Sequence, residues 1–317
     1  MFISYRPIPQ PEGAENRMRI LIVRNQYNSE ATEASLLLEM YLQSQGIECE
    51  TYCSEEVKFS NAIIDQNIPS PIDRFDMAVV LGGDGTILRT AAQIAWRRIP
   101  ILCTNFGHLG FMANSNADGV VTIMAAALAG EISHEERTNM RIDVYCHNEG
   151  SLEDPFGTEL PPEPDHSYFA LNEVALTRGD GGRVIDYAYA VQGDPVATLR
   201  GDGLVIATAT GSTAYALSVG GPLVTPSFGG LVVAPVAPHT LQSRALLTGT
   251  SDVIEVALHP SSANREATMF IDGEKVAIDD PISRVVVRPG PDPTVLLRYD
   301  DKSFYTLVSE VFFSASN

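Results

Sequence analysis

At 317 residues, 44% of them hydrophobic and 19% charged, the chain is longer than one ordinary domain and apolar enough for two separate cores. No run approaches the roughly 20 apolar residues that span a bilayer, and 21 Lys and Arg against 40 Asp and Glu leave a formal charge of -19. That charge repels nucleic-acid backbones and anionic membrane surfaces, which argues against both as partners; a phosphate-bearing ligand would have to be met by main-chain N–H groups, a divalent cation or a few placed arginines.

Residues 1–17, rich in Pro, Gly and Glu and lacking the basic start and apolar run of a secretory signal, read as the flexible tail of a cytoplasmic protein. From Arg19 the pattern is strand, turn, helix: RILIV is a short apolar run, Asn28 or Ser29 can cap a helix, and Ala34, Leu37, Leu38, Tyr41 and Leu42 share one face before Gly46 ends it. A second apolar run, Met77 to Leu81, stops at Gly82-Gly83-Asp84-Gly85-Thr86; helical spacing resumes from Ile87 to Trp96, and Ile99 to Cys103 is the next strand. This alternation predicts a parallel, doubly wound α/β domain over residues 18–138.

After about Glu131 the texture changes. RIDVYC, SYFALNEVALT, VIDYAYAVQ, DGLVIATA, DVIEVAL and ATMFI are short, β-branched or aromatic and separated by Gly, Pro and Asp turns, which predicts an all-β domain over 139–294. The acidic, proline-rich stretch near 148–166 is expected to be a disordered loop. Phe304, Leu307, Val308 and Val311 have helical spacing, so residues 295–317 are expected to complete the α/β domain. Cys49, Cys53, Cys103 and Cys146 form no C-x-x-C pair and read as reduced, buried thiols.

The turn LGGDGT stands between a strand and a helix, where open α/β sheets bind ligands. Glycines 82, 83 and 85 allow positive φ and close approach of the main chain to a phosphate, with the N–H groups of the following helix pointing at it. A carboxylate is out of place in a passive phosphate cradle. Asp84 is therefore expected to act on a hydroxyl proton, orient a ribose hydroxyl or engage Mg²⁺, the plain alternative being a helix-capping role. No G-x-x-x-x-G-K-[ST] loop occurs, and the turn lacks the third glycine of G-x-G-x-x-G.

Four further segments follow in order: Asn105-Phe-Gly-His-Leu-Gly-Phe111, Leu171-Asn172-Glu173-Val174, Arg200-Gly-Asp-Gly203, and Thr210-Gly-Ser-Thr-Ala-Tyr215 with Gly220-Gly221-Pro222. Together with GGDGT they resemble the ATP- or polyphosphate-dependent NAD kinase family, strongly over about residues 75–245. GGDGT alone is shared with lipid kinases and, in related form, with phosphofructokinases; the ordered set is not.

The resemblance implies a Rossmann-like α/β domain, a β-sandwich-like second domain and a site in the cleft between them. The reaction it implies is phosphoryl transfer to the 2′-hydroxyl of the adenosine ribose of NAD, giving NADP. Asp84 falls at the family's catalytic aspartate, as general base or hydroxyl-positioning group. The nucleotide-binding set it implies is Gly82, Gly83, Asp84, Gly85, Thr86, Asn105, Phe106, Asn172, Glu173, Arg183, Arg200, Asp202, Thr210, Thr213, Ala214, Tyr215 and Ser218. Asn172 and Glu173 would read a base edge and a ribose diol, Arg200 and Arg183 the pyrophosphate, and the hydroxyls of TGSTAY the nucleotide, unless Ser212 or Thr213 is a plain N-cap. Three positions depart from the family's pattern: Ala209 stands where proline is usual, His108 where relatives vary, and Glu274 where glutamine often follows Asp-Gly.

The implied cofactor is Mg²⁺ or another divalent cation, held mainly by the phosphate donor, ATP or polyphosphate. A homodimer or homotetramer is implied as well. Two rivals differ in kind. A lipid kinase would need a basic patch or an apolar amphipathic helix, neither of which is evident. A non-catalytic NAD(P) sensor would be expected to lack the aspartate of GGDGT, and Asp84 is present.

Overall fold

The computed structural model describes residues 17–55, 71–94, 96–107, 110–146, 154–157, 159–259, 267–299 and 302–313. The tail before Arg17, His108 and part of the acidic stretch (147–153 and 158) lie outside them. The chain forms two compact units, one drawn from both ends, through Arg137 and again from Asp292, and the other from Thr138–Pro291. Among the described residues no helix is long and apolar enough to cross a membrane.

The first unit is built on one six-stranded sheet. Strands β1 (Arg19–Arg24), β2 (Glu48–Cys53), β3 (Met77–Gly82), β4 (Ile101–Asn105) and β5 (Ser133–Arg137) are joined by a strand from far down the chain, Thr294–Arg298, which lies between β4 and β5; the order before them is β2-β1-β3-β4. Neighbours are parallel except β5, which runs antiparallel to 294–298 and so departs from the all-parallel expectation. Its sequence, SHEER, carries no apolar run to announce it, and charged side chains suit a strand at a sheet edge.

Helices α1 (Ser29–Ser44) and α3 (Val120–Leu128) cover the face carrying Ile20, Ile22, Met77, Val79, Leu81 and Leu102. Leu21, Val23, Ala78 and Val80, which point the other way, are equally buried, and α2 (Asp84–Gln93) packs on β3 and β1 without joining that first cluster. Both faces are thus covered, as a doubly wound sheet requires. Asn28 caps α1, its Oδ1 accepting from the Ala31 N–H at 2.9 Å, and Gly46 leaves the helix at φ +72°. Leu37 does not join the buried face with Ala34, Leu38 and Leu42 but is 58% exposed. At roughly 100° per residue it falls about 60° to the far side of Ala34, whereas Ala31, Ser35, Leu38 and Leu42 fall on the near side.

The last helix, Phe304–Val308, buries Leu307 and then widens into a π-turn over Ser309–Phe313. A π-turn adds about one residue per turn. Val311, expected on the apolar face, is therefore exposed, and Phe312 stacks on Phe111 in its place, centroids 5.8 Å apart. None of the four cysteines is in a disulfide; Cys103 and Cys146 are buried as expected, whereas Cys49 and Cys53 are only half-buried.

The second unit is a sandwich of two six-stranded sheets. Its strands are β6 (Met140–Tyr145), β7 (His166–Ala170), β8 (Glu173–Thr177), β9 (Ile185–Val191), β10 (Asp194–Gly201), β11 (Gly203–Ala207), β12 (Val232–Val236), β13 (Leu246–Leu247), β14 (Ile254–Leu258), β15 (Thr268–Ile271), β16 (Glu274–Lys275) and β17 (Arg284–Pro289). One sheet runs β10-β9-β14-β17-β6-β7, the other β13-β12-β11-β8-β15-β16, every pair antiparallel. Their inner faces interdigitate through Ile142, Tyr187 and Val285 on one side and Val174, Leu176, Leu204, Ile206 and Met269 on the other. The stretch SYFALNEVALT, which reads as one strand, is two: β7 ends at Ala170 in one sheet and β8 begins at Glu173 in the other. The second sheet is buried on its outer face as well, under Ala209, Ala216 and Val224.

Candidate functional site

In the first unit, Gly82 and Asn105 are register partners at the ends of β3 and β4, so the loops carrying GGDGT and Asn105-Phe106-Gly107 leave the sheet side by side at its carboxyl edge. The glycines serve differently from the sequence expectation, for none of the three has positive φ. Gly83 is extended (φ -99°, ψ -175°) as the N-cap of α2, and Gly85 is already in the helix. Gly82 is small by necessity: a β-carbon there would stand 2.6 Å from Thr86 Oγ1. Over Gly83 and Gly85 there is open space, which leaves close approach by a ligand as their remaining use.

Asp84 is the first residue of α2 and makes no capping bond to it. Its Oδ2 accepts from the Phe111 N–H at 3.3 Å, the Met112 N–H lies near enough to favour the ionised carboxylate, and its Oδ1 is buried without a hydrogen-bond partner among the described residues. Burial raises this carboxyl above the ordinary range, and the two N–H groups with the charges of Arg137 and Arg298 only partly pull it back. A β-carbon on Gly110 would sit 2.6 Å from the Asp84 carboxyl carbon, so that glycine makes the carboxylate's place. Asn105 shapes the neighbouring turn, its Oδ1 accepting from the Gly107 N–H at 3.1 Å. Phe106 donates its N–H to the Gly82 carbonyl at 3.3 Å while its ring joins the core under α1 and α3. Thr86 is buried beneath Gly82.

In the second unit, Asn172 and Glu173 occupy the corner where the chain changes sheets. The corner is held by Asp272, on a two-residue hairpin between β15 and β16 in which Asp272 and Gly273 have φ of 49° and 85°, the geometry an Asp-Gly pair favours. The Asp272 carboxylate accepts from the N–H groups of Leu171 (2.9 Å), Asn172 (2.7 Å) and Glu173 (3.1 Å). From the other side the Asn172 carbonyl accepts from the Thr208 N–H at 2.8 Å, and the Thr208 hydroxyl bonds the Leu171 carbonyl at 2.6 Å. Asn172 Oδ1 and Glu173 Oε2 are, like Asp84 Oδ1, buried acceptors without a partner among the described residues. Glu173 is pushed up to about 8, by burial first and the Asp272 carboxylate second, against the pull of the Tyr215 N–H; burial raises Asp272 to about 6.

Two hydroxyls of TGSTAY bond carbonyls of the same turn. Thr213 donates to the Thr210 carbonyl (3.1 Å) and Ser212 to the Ala209 carbonyl (2.7 Å), and neither caps a helix. The turn is a tight 3₁₀ stretch whose own carbonyls are within reach, so these two hydroxyls spend their protons locally and keep only acceptor capacity for a nucleotide. Thr210 is buried, Ala214 half-buried, and Ser218 exposed beyond Tyr215.

A cavity of about 490 Å³ opens on the outer face of the second sheet, lined by Glu173, Ala175, Thr177, Arg178, Asp202, Tyr215, Val236, Phe270 and Gly273. Glu173, Ala175 and Thr177 are alternate residues of β8, and the small Ala175 leaves room above the sheet. Arg178 is the cation here, its Nε 3.3 Å from Asp202 Oδ1. Arg183 and Arg200 do not line the cavity: Arg183 is exposed, and Arg200, 63% exposed, faces Asp186 at 3.7 Å in the other sheet. The chain changes sheets at Asp202, which separates Arg200 from Asp202 although they are two residues apart. Sequence reading missed Arg178 and Asp272; the strand alternation from Glu173 and the Asp-Gly dipeptide were the available signals.

Comparison with known proteins agrees with this layout. Residues 12–132 match the family model described as ATP-NAD kinase N-terminal domain, and residues 171–299 the ATP-NAD kinase C-terminal domain. An NAD kinase of Nitrosospira multiformis is 34% identical over 237 residues, 75% of each chain, and one of Lachnoclostridium phytofermentans is 30% identical over 298 residues, 93% of this chain and 98% of the relative. Among solved structures, yeast NADH kinase complexed with NADH aligns with a TM-score of 0.76 at 21% identity, covering 96% of this chain and 90% of that one. An NAD kinase from Archaeoglobus fulgidus in complex with ATP aligns with a TM-score of 0.68 at 24% identity, covering 93% and 100%. At these identities the two structures speak for the fold.

Proposed function

The chain belongs to the NAD kinase family, and on that premise we propose that it transfers the terminal phosphoryl group of ATP to the 2′-hydroxyl of the adenosine ribose of NAD, with Asp84 receiving the hydroxyl proton. The observation that carries this reading is that, among the described residues, the buried acceptors Asp84 Oδ1, Asn172 Oδ1 and Glu173 Oε2 are without protein partners. A buried acceptor left unpaired costs roughly 1–3 kcal/mol, and a nucleotide supplies the donors that would satisfy these: ribose hydroxyls and an adenine amino group.

In this reading Asn172 and Glu173 bind the adenosine end of NAD, and Asp202, Arg178 and Tyr215 shape the cavity that takes another part of the dinucleotide. At the reacting atom the 2′-oxygen attacks phosphorus, the bond from the donor's bridging oxygen breaks, and the proton of the hydroxyl passes to the Asp84 carboxylate. The open main chain over Gly83 and Gly85 and the first turn of α2 meet the donor's phosphates. A Mg²⁺ carried mainly on the donor's phosphates would neutralise charge there. The family's description as ATP-NAD kinases supports ATP over polyphosphate as donor. Family membership also carries the proposals of a cytoplasmic homodimer or homotetramer.

The test is NADP formation measured with ATP and with polyphosphate, and with NAD, NADH and 2′-deoxy-NAD as acceptors. We expect ATP with NAD to turn over and 2′-deoxy-NAD to bind as an inhibitor without reacting; turnover of the deoxy compound would rule out the 2′-hydroxyl as the acceptor.

A further inference from the structure

Behind Asp84 stands an arrangement that neither the motifs nor the proposed chemistry uses. The Phe111 N–H donates to its carboxylate, and the N–H of the next residue, Met112, lies near enough to favour the ionised form. The carbonyls of the same two residues are each taken by a buried guanidinium: Arg137 Nη2 donates to the Phe111 oxygen at 3.1 Å, and Arg298 Nη1 to the Met112 oxygen at 2.8 Å. Both arginine side chains are under 10% exposed, and both reach Glu135, at 3.1 Å and 3.6 Å.

Sheet register makes the cluster possible. Arg137 and Glu135 are alternate residues of β5, and Arg298 lies on the paired strand, where Leu296 is opposite Glu135 and Thr294 opposite Arg137, so the three side chains share one face. Just beyond, Asn114 is fully buried and fixes the loop's exit, its Nδ2 donating to the Cys103 and Leu297 carbonyls at 2.9 Å and its Oδ1 accepting from the Tyr299 N–H at 2.9 Å.

We propose that Arg137 and Arg298 are positioning residues for phosphoryl transfer: by gripping the Phe111 and Met112 carbonyls they fix the main chain on either side of Met112, the Phe111 carbonyl being the far edge of the peptide that carries the Met112 N–H, and so hold this stretch of loop, with its Phe111 and Met112 N–H groups, against the Asp84 carboxylate. Burying two guanidiniums is costly unless their hydrogen bonds are met, and spending them on two consecutive carbonyls in one loop fixes that loop more firmly than packing alone. Their positive charge acts on Asp84 in the same direction, favouring the ionised form that accepts a proton. Cys103 also faces this cluster, but burial pushes its thiol up out of the working range. The inference rests on Asp84 acting as the proton acceptor.

The test compares Arg298→Lys, Arg137→Lys and Arg298→Met with the wild-type enzyme in kcat, KM for NAD and the acid limb of the kcat–pH profile. A lysine keeps the charge but lacks the planar fork that spans Met112 and Glu135 together. Both lysine variants should therefore lose about 10-fold in kcat with KM for NAD within about 2-fold and the acid limb in place. Arg298→Met should lose about 100-fold and shift the acid limb to higher pH, a readout that loss of packing alone would not move. A folded Arg298→Met with wild-type kcat and acid limb overturns the proposal; if that variant does not fold, wild-type kcat in both lysine variants does so. Asp84→Asn run alongside separates the two levels. Full activity there removes the proton-acceptor reading, whereas loss there with normal arginine variants removes only this inference.

Discussion

Gly211 lies against the main chain of Asn172 so closely that a β-carbon on it would stand 2.6 Å from the Asn172 carbonyl carbon. Because the obstacle is backbone, already fixed by Thr208 on one side and Asp272 on the other, it cannot swing aside as a side chain would.

Gly211→Ala should therefore push the Asn172–Glu173 corner out of place, lowering stability by about 1–3 kcal/mol and weakening NAD binding. Gly83→Ala is the contrast, since nothing lies within 4 Å of its would-be β-carbon and its φ of -99° suits alanine. Its melting temperature should match the wild type, and any loss should appear in KM for ATP. Thermal melts and steady-state kinetics on the pair check both; a stable Gly211→Ala with normal NAD affinity would contradict the packing argument.

Asp84→Asn should keep the fold and NAD affinity and lower kcat by about 10²- to 10⁴-fold, the range for losing a positioned general base. The amide has the same shape, and its carbonyl oxygen can still accept from the Phe111 N–H, but it cannot take a proton. Near-normal kcat would reject the role.

The pH dependence of stability should carry the mark of Glu173. Its carboxyl titrates at about 8 in the folded chain against an ordinary 4.5. Between those values the native state holds a proton that the unfolded chain has released, so this group's contribution is present below the window and is lost as pH rises through it. Glu173→Gln removes the slope. The melting-temperature difference between variant and wild type, without ligand, should grow in the variant's favour from about pH 4.5 to about pH 8, and a flat difference would show that Glu173 ionises normally.

Chelation of divalent metal with EDTA should abolish NADP formation, and Mg²⁺ should restore it, because the chain offers few cations to set against the donor's phosphates: 21 Lys and Arg face 40 Asp and Glu. Undiminished turnover in EDTA would remove the metal from the scheme.

Both folds, and the elements that carry Asp84 and the Asn172–Glu173 pair, were legible in the sequence wherever the signal is local. The strand before Gly82 and helix after Asp84 announce themselves by periodicity, and the six apolar segments of the second unit by their alternation. What escaped is set by partners far along the chain. Nothing near Leu171 or Arg200 says that the chain changes sheets beside each, which is why Arg178 and not Arg200 reaches the cavity. Asp272 serves N–H groups about a hundred residues earlier, and Arg298 holds a loop 186 residues away. Positive φ at the glycines of the GGDGT turn was a reasonable inference from composition that a plain N-cap at Gly83 made unnecessary.

The strand Thr294–Arg298 sits inside the first sheet, between β4 and β5, yet follows the whole second unit in sequence. On the ribosome, which delivers the chain from its N-terminus, the sandwich has all the strands described above while the first sheet still has a gap where 294–298 belongs. The nascent chain therefore holds the Asn172–Glu173 corner before it holds Arg298, and the loop behind Asp84 is clamped only when that strand is threaded in. Closing a pairing of such long sequence separation is slow relative to local folding, so competence to transfer phosphate is among the last properties this polypeptide acquires.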